Sequence, residues 1–121
     1  MRVAISSEGS GDLDSAVSPH FGRCPQFVLV DLDDAKLRTV SRVANPFAGS
    51  HEPGQVPHFM ASQNVQVMVS GGMGWRAIAA FEQLGIQAVT GAVGSVREAL
   101  EDYLAGKLQG GDPCLESRHG D

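Results

Sequence analysis

Cysteine is scarce in this chain: Cys24 and Cys114 stand far apart, and neither has a partner at C-x-x-C spacing. The ligand spacing of a structural zinc site and a regular disulfide framework are both absent, and reduced thiols in a cytoplasmic protein are expected. Long apolar runs are missing too, so no membrane-spanning helix is predicted. Met1 leads straight into Val3-Ala4-Ile5 with no charged segment ahead of an extended apolar stretch, and export is not expected. Cations are outnumbered, 9 Lys and Arg against 14 Asp and Glu, for a net charge of -5. Sequence-independent binding to nucleic acid needs clustered Lys and Arg, so that class of partner is set aside.

Signatures of catalysis are lacking as well. There is no G-x-S-x-G elbow and no P-loop. The first apolar segment, Arg2 to Ser6, carries no carboxylate, which a two-metal nuclease on a similar sheet would require. Glu8, Asp12 and Asp14 fall in one loop that reads as solvated surface. Gly72, Gly74 and Ala77 fit G-x-G-x-x-A, but no acid ends the following strand to hold a ribose, so a dinucleotide site is a weak reading.

What is present is the patterning of one α/β domain. At 121 residues the chain is long enough to bury a core without staples. Val3-Ala4-Ile5 reads as a buried strand. Phe27 to Leu32 and Lys36 to Val43 read as a hairpin around Asp33-Asp34, the second strand lying at an edge because Arg38 and Arg42 share one face. Val56, Phe59, Met60 and Gln63 mark a short helix with Pro57 in its first turn. Val65 to Ser70 reads as a strand, Ala77, Ile78, Phe81 and Leu84 as a helix closed by Gly85, and Ile86 to Thr90 as a fifth strand. Val96, Ala99, Leu100, Tyr103 and Leu104 have helical spacing, and Ser95 with Glu98 has that of a capping box. A mixed five-stranded sheet flanked by helices is predicted for residues 1–108, with later strands parallel to their neighbours, followed by a polar tail over 109–121 expected to be loose.

Chemical capacity is densest in Ser18-Pro19-His20-Phe21-Gly22-Arg23-Cys24-Pro25, where an imidazole, a thiol and a guanidinium share a loop that proline and glycine keep irregular. A second candidate is Gly71-Gly72-Met73-Gly74, a strand-to-helix turn with Trp75 and Arg76 behind it. Such turns admit anions through backbone N–H groups, and they also occur simply to make tight connections. The turn Gly91 to Ser95 offers the same geometry one strand over. Other residues able to hold a metal are His51, His58, Cys114 and His119.

The strand Val3 to Ser6, the block Ser18 to Arg23, the Val69-Ser70-Gly71-Gly72-Met73-Gly74 turn and the Leu84-Gly85-Ile86 junction together resemble one family. It is the dinitrogenase iron-molybdenum cofactor biosynthesis family, which includes NifX, NafY and the C-terminal domain of NifB. The resemblance covers Met1 to Leu108 and implies a ribonuclease-H-like fold. It further implies a non-catalytic protein that binds or carries an iron-sulfur or iron-molybdenum cluster or its precursor, with cofactor-assembly proteins as partners. His20 matches the histidine implicated in holding the cluster. Phe21, Gly22 and Arg23 complete its block, Gly71, Gly72 and Gly74 form the second half of the implied site, and Cys24 is a candidate second ligand just beyond the block. A small enzyme or sensor binding a phosphate-bearing metabolite at Gly71 to Gly74, and a protein-interaction module, are the other readings.

Overall fold

The protein's structure, a computed structural model, describes residues 1–9, 11–49 and 54–108. His51 and Glu52, and the tail with Cys114 and His119, lie outside the described residues. In chain order the elements are β1 (Arg2–Ser7), β2 (Gln26–Asp33), β3 (Lys36–Ala44), α1 (Gln55–Ser62), β4 (Val67–Val69), α2 (Trp75–Gln83), β5 (Gln87–Val89) and α3 (Val96–Leu104). They build the expected mixed five-stranded sheet, ordered β3-β2-β1-β4-β5. β1 runs antiparallel to β2 and parallel to β4, and β4 is parallel to β5. β3 pairs antiparallel with β2 and lies at the edge, with Arg38 and Arg42 exposed.

Alternation along the strands sorts the core into two layers. Val3, Ile5, Val28, Val30, Val67 and Val69 face α3, whose Val96, Ala99 and Leu100 cover them. Ala4, Phe27, Leu29 and Met68 face the opposite way, onto Met60 of α1 and Ala77, Ile78 and Phe81 of α2. Since both faces of β1 are covered, its run Val3 to Ser7 is buried throughout, as a central strand requires.

Two expected boundaries move, for reasons of hydrogen bonding. β4 and β5 are each shorter than their apolar runs, because the residue leading into each is drawn back to the preceding helix. The Ile86 N–H donates to Phe81 O (2.9 Å) with Gly85 at φ +74°, and the Val65 N–H donates to Met60 O (3.1 Å) with Asn64 at φ +62°. Both are Schellman closures, one on glycine and one on asparagine. The hairpin turn centres on Asp34 and Ala35, at φ +50° and +68°, one residue later than Asp33-Asp34, because Asp33 is still paired with Lys36. The Ser95–Glu98 capping box is present in both directions.

Candidate functional site

The carboxyl ends of β1 and β4 are finished by serines, and these decide where the block Ser18 to Pro25 goes. The Ser6 and Ser70 hydroxyls bond each other at 2.9 Å and reach the Ser18 carbonyl at 3.1 and 3.4 Å. The Gly71 N–H donates to that same carbonyl at 3.1 Å, and the Ser18 N–H donates to Ser6 O at 3.0 Å. All three serines are buried. A buried carbonyl with several donors is a fixed point, because withdrawing it leaves several polar groups unsatisfied at once. The block therefore starts from an anchor directly against the glycine turn.

The fit there is close. A Cβ on Gly71 would stand 2.8 Å from Pro19 Cα, 3.1 Å from Ser18 O and 3.3 Å from Ala92 O, and one on Gly72 would stand 3.0 Å from Pro19 O. These two glycines are needed for backbone packing, and the Gly71 N–H is already spent on Ser18. Gly74 differs. It is exposed, a Cβ there would meet nothing within 4 Å, and it begins α2 with no side-chain cap.

From the anchor the block divides. Pro19, His20 and Arg23 are exposed, with the His20 backbone pinned by the Ser18 hydroxyl: the His20 N–H donates to Ser18 Oγ (3.2 Å), which donates to His20 O (3.0 Å). Phe21 turns inward and packs edge-on against Phe81 of α2, with ring centroids 5.7 Å apart at 63°. Gly22 is half-buried with open space where a Cβ would be.

Cys24 is fully buried in the layer under α1 and α2, and its thiol donates to Phe21 O at 3.1 Å. Burial pushes the thiol up to about 11, so it stays protonated at neutral pH. The structure thus anchors the start of the block against the glycine turn, leaves His20 and Arg23 exposed, and puts the Cys24 sulfur in the interior.

Sequence reasoning passed over Asn45, which holds the far end of the block. Its Nδ2 donates to Gly22 O (3.2 Å) and Cys24 O (3.0 Å), its Oδ1 accepts from the Phe47 N–H (2.9 Å), and its own N–H donates to Pro25 O (3.0 Å). The signal was the Asn-Pro dipeptide after an edge strand, a common turn pair that does not say which loop it will hold. Ser6 and Ser70 left a fainter signal, a small polar residue ending a buried apolar run.

Trp75 is 43% exposed, with the Arg76 guanidinium 5.4 Å from its ring centroid. The acidic loop is surface, as expected: Asp14 pairs with Arg97 at 3.3 Å, both well exposed. Open grooves also mark the surface. One of about 490 Å³ is lined by Glu8, Gly9, Pro25, Gln26, Arg42 and Ala44, and one of about 520 Å³ by Phe47, Gly54, Gln55, His58 and Phe59. His20 lines neither. Among the described residues, no three His, Cys, Asp or Glu side chains gather to hold a metal ion.

A protein-family model described as dinitrogenase iron-molybdenum cofactor matches residues 1–106. The chain belongs to this family. Among solved structures, the protein PH0822 is 36% identical, with 92% of this chain and 96% of that one covered at a TM-score of 0.80. The apo form of the orange protein from Desulfovibrio gigas is 30% identical, with 91% and 92% covered at a TM-score of 0.81. An uncharacterized protein of Methanocaldococcus jannaschii is 29% identical over 111 residues, 90% of each chain. The resemblance noted from the His20 block and the glycine turn thus holds at the level of the family. Among the described residues, no helix is long and apolar enough to cross a membrane.

Proposed function

We propose that this chain is a non-catalytic binding and carrier protein for an iron-sulfur or iron-molybdenum cluster or its precursor, with His20 as the protein ligand. The observation that carries the reading is the meeting of the exposed His20 loop with the glycine turn through the Ser18 anchor, in a member of the dinitrogenase iron-molybdenum cofactor family. A relative at 30% identity is known in an apo form, the state of a protein that takes up a ligand.

The donor set fits a cargo better than a resident cofactor. One exposed imidazole supplies a single borderline-soft ligand, and Arg23 and Arg76 supply positive charge for an anionic cluster. Sparse ligation permits release, whereas a closed four-ligand site holds its metal for the life of the fold. Cys24 enters this reading as a packing residue, since a thiolate ligand would have to leave the core and lose its proton. Cofactor-assembly proteins are the partners that would load and unload such a carrier.

The test is anaerobic loading with an iron-sulfur or iron-molybdenum cluster, followed by gel filtration and absorption spectroscopy. Wild type should retain cluster, and His20→Ala should weaken retention by at least roughly tenfold, about 1.4 kcal/mol. Equal retention by both would remove His20 from the site, and no retention by wild type would end the carrier reading.

A further inference from the structure

The two edges of the sheet are unequal. β5 is 3 residues long, whereas β3 is 9. Among the described residues no strand pairs with the outer side of β3, so a row of its backbone N–H and C=O groups faces away from the sheet. Long edges are usually shortened, broken by proline or covered. β3 contains no proline, and its register against β2 shifts only beside the hairpin turn, between Asp31 and Leu32. From Thr39 to Ala44 the pairing runs unbroken. Nor is the strand covered: Val40 and Val43 are half-buried and its other residues are exposed, Leu37 by 47%.

Charge on this edge has one sign. β3 carries Lys36, Arg38 and Arg42 and no carboxylate, in a chain whose net charge is -5. Nearby acids offset it only in part. Asp31 is held by the Arg2 guanidinium at 2.8 Å and accepts from the Thr39 hydroxyl at 2.6 Å. Arg38 reaches Asp33 at 3.5 Å with both side chains exposed, a pair that holds weakly against solvent. Joining two copies along β3 would bring the three cations of each together with no carboxylate in either strand, so the edge opposes a second copy of itself. An acidic strand reverses that sign. Space for its side chains lies beside the carboxyl end of β3, where Arg42 and Ala44 line the open groove of about 490 Å³. Glu8 lines the same groove, so the partner's acids belong along Arg38 to Arg42 and not at the Glu8 side.

We infer that β3 is a docking edge for an extended acidic segment of a partner protein, which adds a further strand to the sheet and sets carboxylates against Arg38 and Arg42 and apolar side chains over Leu37 and Val40. Backbone hydrogen bonds along the edge supply affinity, and the side chains choose the partner. The arginines suit carboxylates better than lysines would, since a guanidinium can donate two parallel hydrogen bonds to one acid. None of the residues of the His20 loop takes part, so this inference stands or falls separately from the carrier reading.

The test titrates the full chain into a strand-length, fluorescein-labelled peptide that alternates glutamate with valine and threonine, read by fluorescence anisotropy. Two control peptides carry lysine in place of glutamate, or methyl groups on alternate backbone nitrogens. Wild type should bind the glutamate peptide at least tenfold more tightly than either control. Arg38→Glu combined with Arg42→Glu should lose at least tenfold in affinity for the glutamate peptide at an unchanged melting temperature, and should bind the lysine peptide instead. No binding of the glutamate peptide by wild type overturns the inference. Equal binding of the N-methylated peptide would leave charge attraction without strand pairing, and overturns it too. Sedimentation velocity covers the other occupant: a wild-type dimer that the double variant loses would assign the edge to a second copy of this chain and overturn the acidic partner.

Discussion

Within the block Ser18 to Pro25, the buried and the exposed residues contrast in every physical respect. Ser18 and Cys24 are buried, bonded and surrounded, whereas His20 and Arg23, between them in sequence, are exposed. The difference teaches that a chemically crowded loop need not be a single chemical site. Its thiol and one end anchor the loop to the core, and that anchoring is what lets the imidazole stand in solvent with a defined backbone. Function, on this view, belongs to the exposed half and stability to the buried half, a division that substitutions can break.

The largest effect is expected where the anchor is tightest. Gly71→Ala drives a methyl against the Pro19 backbone and should cost about 2 to 3 kcal/mol by urea denaturation. A loss below about 0.5 kcal/mol would mean that the contact gives way and the anchor is soft. Asn45→Ala removes two donations to the Gly22 and Cys24 carbonyls and one acceptor, and should cost about 2 kcal/mol while exposing Cys24 to alkylating reagents. Unchanged alkylation would show that the block holds its shape without Asn45.

The buried thiol sets a smaller, pH-dependent effect. Its folded pKa, about 11, lies above its ordinary value of 9.0, so below pH 9 the thiol is protonated in both states and contributes no pH dependence. As pH rises from 9 to 11 the unfolded chain loses the proton first, and stability falls. Cys24→Ala should flatten that alkaline limb, measured by melting temperature in a Cys114→Ser background. A limb that persists in Cys24→Ala would assign it to another group.

The smallest effects belong to the exposed half. His20→Ala, Arg23→Ala and Gly22→Ala should each change stability by less than about 0.5 kcal/mol, since no side chain packs at these positions or would meet a neighbour there. A His20→Ala variant destabilised by more than about 1 kcal/mol would show that His20 belongs to the anchor, and would remove the contrast.

Much of the scaffold was legible because its causes are local. Val3-Ala4-Ile5 and Phe27 to Leu32 declare strands by composition, Ser95 and Glu98 declare a helix start by spacing, and Gly85 declares an end by its freedom at positive φ. The hairpin turn was misplaced by one residue because Ala35 gives no hint that it will adopt a left-handed backbone. Residue by residue, the site was less legible. Gly71 and Gly72 read equally well as an anion cradle and as a tight turn, and only Pro19 passing within van der Waals reach makes them packing glycines.

By itself the sequence determined the order and type of the elements, the mixed sheet and the family, because periodicity, capping and turn chemistry act over a few residues and survive in the linear text. Tertiary structure decided which chemistry faces outward. Whether Cys24 or His20 meets solvent depends on Ser6, Ser70 and Asn45, which lie far from the block in sequence and reach it only when the strands are assembled. A pattern confined to Ser18 through Pro25 contains no term for those partners. The fold supplies them.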